Sequence, residues 1–152
     1  MATRANPGTT RPHLFRRLVA LHHQVEETAE EVGLTADIVE LVKTRASQIN
    51  GCAYCTDRHA RDAEQAGVTP RQLALLPVWR ETALFTDRQR AALALAESMS
   101  TISQTQHIPD DVYDRAAAVF TADQLAVLIW AGAVIQTFNA LNVTAPKPLP
   151  ED

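Results

Sequence analysis

Apolar residues recur along most of the chain at the three- to four-residue spacing of one helix face. This spacing predicts a first helix from about Pro12 to Val32 and a second helix after Thr35, a candidate N-cap. No segment shows the alternation expected of a strand, and no glycine-rich phosphate loop occurs. The pattern therefore predicts an all-α domain of about six or seven helices.

Capping boxes indicate where several of these helices begin. Such boxes start at Thr69, Thr86 and Thr121, and the Pro109-Asp110-Asp111 segment is a further helix start. Residues 125–138 are apolar on almost every side, which is typical of a buried helix. We expect this helix to be central and also to contribute to a subunit contact, because one small domain covers such a helix poorly.

The ends of the chain differ in composition from its middle. We predict a flexible N-terminal arm at 1–11, one domain at 12–143 and a proline-rich C-terminal tail at 144–152. The full length of 152 residues is appropriate for one domain.

Charge and hydropathy exclude several classes of protein. A formal net charge of −4 argues against a nucleic-acid partner. The N-terminal residues have no apolar core of a signal peptide. The longest apolar run, Ala126 to Ile135, is about half of the ~20 residues that a membrane span needs. We therefore expect a soluble, cytoplasmic protein.

The most informative stretch contains both cysteines of the chain, Cys52 and Cys55, followed by His59. On a helix these three residues share a face, and Cα atoms three residues apart lie roughly 5 Å from each other. This separation allows a disulfide without backbone rearrangement. Asn50-Gly51 predicts a break before the stretch, so that a helix begins near Cys52. The positive end of that helix lowers the pKa of a thiol in its first turn.

Several functions are compatible with this stretch. A zinc half-site is one, but structural zinc prefers four ligands and only three are present. A thioredoxin-like motif would follow a strand, and none is predicted before Cys52. The cysteines could also be small core residues, with His59 a solvated histidine. The remaining interpretation is a redox dithiol on an all-α scaffold, with His59 as a local base.

Glu40 is a candidate site residue only if the chain reverses direction after it. On one unbroken helix, Glu40 and Cys52 would lie about 18 Å apart and on different faces. A reversal at Asn50-Gly51 would bring Glu40 back to the cysteines. Without such a reversal, Glu40 would be a solvated acid.

The spacing E-x11-C-x-x-C-x3-H, formed by Glu40, Cys52, Cys55 and His59, resembles the core of the alkylhydroperoxidase D (AhpD-like) family. That family is part of the carboxymuconolactone decarboxylase superfamily. The likeness covers roughly residues 12–143. It extends through Trp79-Arg80-Glu81, the segment from Phe85 to Glu97, and Asn139-Ala140-Leu141-Asn142.

The resemblance implies an AhpD-like helical bundle, a homo-oligomer (a trimer or hexamer) and thiol peroxidase chemistry without a metal or organic cofactor. It implies that Cys55 is the peroxidatic thiolate and that Cys52 is the proton donor and resolving thiol. Glu40 and His59 would form the proton relay. The substrate would be hydrogen peroxide or an organic hydroperoxide, and the reductant a dithiol such as a lipoylated protein.

Two residues depart from the family pattern. Tyr54 stands where the founding enzyme has a histidine, and Gln89 stands where relatives often have Glu. Two other functions stay open at this stage. One is a non-enzymatic redox-sensing dithiol module, and the other is an enzyme that resembles the decarboxylases of the superfamily, although those generally lack the cysteine pair.

Overall fold

The structure, a computed structural model, describes residues 2–151. It is 77% helical and contains no strand within these residues, which confirms the all-α prediction. The helices are α1 (Pro7–Thr10), α2 (Pro12–Glu31), α3 (Ala36–Asn50), α4 (Ala53–Gln65), α5 (Pro70–Leu75), a 3₁₀ helix (Leu76–Glu81), α6 (Asp87–Ser100), α7 (Ile102–Thr105), α8 (Asp110–Val119) and α9 (Ala122–Thr144).

The described residues form seven α-helices longer than one turn, and α1 and α7 add two short helices of 4 residues each. Helix α1 lies inside the segment 1–11 that the sequence predicts to be a flexible arm, where Asn6 caps it. The first residue of that arm and the last residue of the predicted tail lie outside the described range. The proposed domain boundaries remain predictions.

The predicted capping boxes form. Thr69, Thr86 and Thr121 each accept a hydrogen bond from the backbone of the third helical residue, whose glutamine side chain accepts in return. Thr35 occupies the predicted N-cap of α3 but makes no capping hydrogen bond through its side chain. Local sequence therefore places these helix starts well, because each capping box satisfies backbone N–H groups that the helix leaves unpaired.

Helix α3 is the central element of the fold. It packs against α2, α4, α6 and α9. The helix containing 125–138 was expected to be largely buried, and it is less buried than that. Only 44% of its most apolar 18-residue stretch is buried. The exposed side of α9 carries Trp130, Ala126 and Ala133, which no other element of the described chain covers.

Helix α9 also bears on the question of membrane spans. Among the described residues it alone is long and apolar enough to cross a membrane, by length and composition only. It packs against α2, α3 and α6, as a core helix of a soluble protein does. The apolar run Ala126 to Ile135 is short, but apolar residues continue on both sides of it, and the whole helix has 23 residues.

Polar contacts tie α3 to its neighbours away from the cysteines. Glu97 on α6 accepts hydrogen bonds from Arg45 Nε at 2.7 Å, from Trp79 Nε1 at 3.0 Å and from Arg80. Gln89, which departs from the family pattern, donates from Nε2 to Asp37 at 2.7 Å and so links α6 to the first turn of α3. These contacts fix the orientation of α3, on which Glu40 lies.

Candidate functional site

A tight reversal between α3 and α4 creates the site. Gly51 has φ +72°, in the left-handed region that favours glycine. The backbone N–H of Cys52 donates to the carbonyl of Ser47 at 3.0 Å, and that of Gly51 donates to Gln48 at 3.3 Å. These two bonds form a Schellman motif, which ends a helix and satisfies its last carbonyl groups. The chain then runs back along α3 as α4. The break predicted at Asn50-Gly51 is therefore confirmed.

The two cysteines form a disulfide at the start of α4. The Cα atoms of Cys52 and Cys55 are 5.3 Å apart, within the range in which a disulfide closes without moving the backbone. Both side chains are almost fully buried. They pack with Ala46 and Ile135 in a small apolar cluster. The sequence-based expectation that the pair can form a disulfide is confirmed.

The two sulfur atoms have different surroundings. Cys52 is the N-cap of α4, and its Sγ accepts the backbone N–H of Cys55 at 3.2 Å. The Sγ of Cys55 accepts a hydrogen bond from Nδ2 of Asn142 on α9 at 3.3 Å. Only Cys55 of the pair borders the cavity described below. Cys52 therefore has the stronger contact with the helix N-terminus, whereas Cys55 is the cysteine that borders the cavity.

Glu40 and His59 meet across the interface of α3 and α4. Both side chains are buried, and Nδ1 of His59 lies 2.8 Å from Oε2 of Glu40. When neutral His59 donates from Nδ1 to the carboxylate, its Nε2 is the acceptor nitrogen. The pair has the geometry of a histidine base oriented by a carboxylate. His59 makes no described hydrogen bond to either cysteine sulfur, although His59 and Cys55 line the same cavity.

A buried lysine connects this pair to a second acid. Lys43 is 2% exposed, and its ammonium group donates to Glu40 Oε1 at 2.8 Å and to Glu26 Oε1 at 2.7 Å. His22 Nε2 lies 3.1 Å from the same Glu26 oxygen. The rings of His22 and His59 are 6.2 Å apart. The two histidines thus share one continuous network of charged groups, which passes through Lys43.

This network keeps both acids ionised. Burial acts to raise the pKa of Glu40, but the hydrogen bond from His59 and the charge of Lys43 outweigh burial and lower the pKa below its usual value. The hydrogen bond with His22 is the largest influence on Glu26. Burial opposes it, Lys43 reinforces it, and the pKa of Glu26 is lowered to about 2. At neutral pH, Glu40 is therefore a carboxylate that can stabilise a protonated His59.

A cavity of about 250 Å³ opens beside the disulfide. Phe15, Ile135 and Phe138 give it an apolar wall, and His22 and His59 lie on its polar side. The rings of Phe15 and Phe138 meet edge to face, with centroids 6.0 Å apart. A cavity of this kind, apolar with a few polar groups converging beside a reactive atom, is the usual form of a small-ligand site.

Two groups of side chains within the described residues could in principle hold a metal ion. One comprises His22, His23 and Glu26, and the other comprises Glu40, His59 and Asp62. Neither includes a cysteine, so neither matches the zinc half-site that the sequence left open. In both groups, moreover, an acid already binds the ammonium group of Lys43, which would compete with a cation.

The four residues singled out from the sequence, Glu40, Cys52, Cys55 and His59, come together at the junction of α3 and α4. Their catalytic roles remain predictions. Sequence reasoning missed the contributions of Lys43 and of His22. A signal for Lys43 was present, because it lies three residues after Glu40 on an otherwise apolar helix face.

Comparisons with known proteins show the family of this chain and agree with its fold. The profile of the carboxymuconolactone decarboxylase family matches residues 12–98, more than half of the chain. The chain therefore belongs to the carboxymuconolactone decarboxylase family. It is 29% identical over 119 residues to the uncharacterized protein YdfG of Bacillus subtilis, covering 78% of this chain and 80% of YdfG. It is 36% identical over 89 residues to the uncharacterized protein YnjA of Escherichia coli, covering 58% of this chain and 47% of YnjA.

Solved structures with the same fold are also known. A protein of unknown function from Agrobacterium tumefaciens, ATU0492, described as a candidate antioxidant defence protein AhpD, superposes with a TM-score of 0.89 at 30% identity. The match covers 99% of this chain and 100% of ATU0492. The apo debrominase Bmp8 superposes with a TM-score of 0.68 at 16% identity, over 84% of this chain and 69% of Bmp8, and supports the fold alone. The AhpD-like fold inferred from the motif is confirmed.

Proposed function

We propose that this protein is a thiol peroxidase that reduces hydrogen peroxide or a small organic hydroperoxide through a Cys52–Cys55 dithiol/disulfide cycle. The observation that carries the proposal is the position of the disulfide, whose Cys55 lies at the wall of a cavity. His59 lines the same cavity, and its Nδ1 contacts the buried carboxylate of Glu40. The likeness to ATU0492 supports the same conclusion.

In the first step, the Cys55 thiolate attacks the terminal oxygen of the hydroperoxide. The O–O bond breaks and an S–O bond forms. The leaving alkoxide of an organic hydroperoxide takes a proton to become an alcohol, and the leaving hydroxide of hydrogen peroxide takes one to become water. The product on the protein is Cys55 sulfenic acid. Access to the cavity supports the choice of Cys55, and the amide of Asn142 donates to its sulfur and so favours the thiolate.

In the second step, Cys52 attacks the Cys55 sulfenic acid. The S–S bond forms and hydroxide leaves, taking a proton to become water. The position of Cys52 at the N-cap of α4 favours its thiolate form, which is the form that attacks. The same position makes Cys52 a good leaving group when the disulfide is reduced again.

A dithiol reductant completes the cycle. One of its thiolates attacks the accessible Cys55 sulfur and displaces the Cys52 thiolate. Its second thiol then releases Cys55 as a thiol and leaves the reductant as a disulfide. By the family resemblance, a lipoylated protein is the proposed physiological reductant. The cycle needs a reducing compartment, so we place it in the cytoplasm.

His59 and Glu40 are proposed to move the proton between the thiols and the leaving oxygen. His59 accepts a thiol proton at Nε2 while its Nδ1 donates to Glu40. The negative charge on Glu40 stabilises the resulting imidazolium. Tyr54 also lines the cavity, where its ring contacts the ammonium of Lys147 rather than the Glu40–His59 pair. We therefore give Tyr54 no part in the relay.

The assay is peroxide consumption with dihydrolipoamide or dithiothreitol as reductant. Repeated turnover that Cys55→Ser abolishes is the expected result. Consumption of one equivalent of peroxide per chain, with no further turnover, would indicate a redox sensor instead. No consumption and no disulfide formation would overturn the proposal.

We also propose that the protein works as a homo-oligomer, a trimer or hexamer. The exposed apolar side of α9 supports this, since Trp130 is 56% exposed there. Multi-angle light scattering should give three or six times the chain mass of 16.7 kDa. A mass of one chain at micromolar concentration would rule the oligomer out.

A further inference from the structure

The cationic groups around the cavity suggest which hydroperoxides it admits. Arg58 and Lys147 line it, together with His22, His23 and His59. No carboxylate is among the described residues that line it. Although the chain has a net charge of −4, the described wall of the cavity therefore contains two permanent cations and no carboxylate.

Of the two permanent cations, Lys147 is the better placed to bind a ligand. The guanidinium of Arg58 already donates to Asp62 at 2.8 Å, one turn further along α4. No described ion pair includes Lys147. In contrast, the ammonium of Lys43 contacts two carboxylates. The charge of Lys147 is thus available to an incoming anion.

Two aromatic rings hold Lys147 at the cavity. Its ammonium lies 4.8 Å from the ring centroid of Phe15 and 5.2 Å from that of Tyr54. Such cation–π contacts position an ammonium without neutralising it, as a carboxylate would. The segment after α9 therefore places one positive charge at the edge of the cavity, beside Tyr54, which directly precedes Cys55 in the sequence.

The remainder of the wall sets the shape of the ligand. Phe15, Val19, Ile135 and Phe138 offer apolar contacts, and about 250 Å³ admits only a small ligand. A ligand that fits all of these features has a compact apolar body and a single negative charge. One ammonium suits a monoanionic carboxylate, whereas a dianionic phosphate generally requires several donors.

We propose that the cavity selects small carboxylate-bearing hydroperoxides, with the carboxylate bound by Lys147, the apolar body against Phe15 and Phe138, and the hydroperoxide at Cys55. The choice of hydroperoxide as reacting group rests on the proposed function. The recognition of the carboxylate does not, so the two can be tested separately.

The first test uses binding alone. Phenylacetate and its neutral isostere phenylacetamide are titrated into the disulfide form, with affinities from calorimetry or NMR chemical-shift changes. We expect phenylacetate to bind at least about tenfold more tightly, and this preference to decrease with added salt. Lys147→Met should reduce the preference to less than about twofold, and Lys147→Arg should retain most of it. Arg71→Met, an exposed cation on α5 outside the cavity, is the matched control and should change nothing.

The second test uses kinetics. For a carboxylate-bearing hydroperoxide, Lys147→Met should raise KM about tenfold and leave kcat unchanged, while KM for its methyl ester stays the same. Three results would overturn the inference, even if the protein is a peroxidase. These are equal affinity for phenylacetate and phenylacetamide, no binding of either compound, and a preference for phenylacetate that survives Lys147→Met. A lysine-dependent preference without peroxide turnover would instead overturn the proposed function and leave the carboxylate site standing.

Discussion

The carboxylate of Glu40 lies 2.8 Å from Nδ1 of His59, although the two residues are 19 positions apart in the sequence and belong to different helices. This contact depends on the reversal at Gly51, which turns α4 back along α3. If the pair acts as one proton relay, removing either member should disable the same step. His59→Ala and Glu40→Ala should each slow thiol oxidation by roughly 10²–10⁴, the usual range for general acid–base help.

The double variant tests whether the two residues act together. Stopped-flow oxidation of the reduced protein should show that His59→Ala/Glu40→Ala is hardly slower than either single variant. His107→Ala, an exposed histidine away from the cavity, is the control and should react at the wild-type rate. Fully multiplicative effects, or single-variant rates within twofold of wild type, would contradict the relay.

The second prediction concerns Lys43, which is buried between Glu26 and Glu40. Lys43→Met should lower the free energy of unfolding by about 3 kcal/mol, because it leaves the buried Glu40 carboxylate without its cation. The pKa of Glu40 should rise for the same reason. Urea titration is the measurement.

Two further variants make the Lys43 result interpretable. Adding Glu40→Gln to Lys43→Met should recover part of the lost stability, because no buried charge is then left unpaired. Lys147→Met removes the other lysine of the chain and should cost no more than about 1 kcal/mol, since its cation–π contacts are at the cavity edge. Equal losses in the free energy of unfolding for Lys43→Met and Lys147→Met would contradict the stabilising ion pair between Lys43 and Glu40.

The third prediction concerns stability at acid pH. The pKa of Glu26 is lowered to about 2 in the folded protein from an ordinary value of 4.5. Its carboxylate therefore stabilises the fold fully above about pH 4.5, and this contribution is lost as the pH falls toward 2. Thermal unfolding of wild type and Glu26→Gln should differ at neutral pH and converge over this window.

The Glu26 carboxylate should contribute only modestly to the free energy of unfolding. The Glu26 side chain is 39% exposed, and solvent screening weakens such pairs. We expect a neutral-pH difference in Tm of about 2–4 °C, which corresponds to roughly 1 kcal/mol for a domain of this size. Glu30→Gln, an exposed acid on the same helix, should leave the pH dependence unchanged. A constant difference between wild type and Glu26→Gln across the window would contradict the assignment.

Much of the fold was predictable because its signals are local. The capping boxes at Thr69, Thr86 and Thr121 depend on side chains three residues apart, and all of them form. The reversal at Gly51 also follows from local chemistry, because a left-handed residue favours glycine. The burial of α9 was less predictable. Its composition is apolar all round, but tertiary packing covers only part of it.

The site was predictable as a motif, whereas its supporting network was not. The spacing of Glu40, Cys52, Cys55 and His59 identified residues that meet at the junction of α3 and α4, and two of them, Cys55 and His59, line the cavity. Nothing local joins Lys43 to Glu26 or Asn142 to Cys55, because each contact crosses between two helices, at separations of 17 and 87 positions. Polar groups that meet only through packing leave no periodic signal in the chain.

The central claim is that Cys55 reacts with peroxide and Cys52 resolves the product. The most direct measurement treats reduced Cys52→Ser and Cys55→Ser proteins with one equivalent of peroxide in the presence of dimedone, followed by mass spectrometry. The account predicts that dimedone labels Cys55 in the Cys52→Ser protein, because no second thiol is left to resolve the sulfenic acid. Label on Cys52 in the Cys55→Ser protein, with none on Cys55 in the other variant, would contradict it.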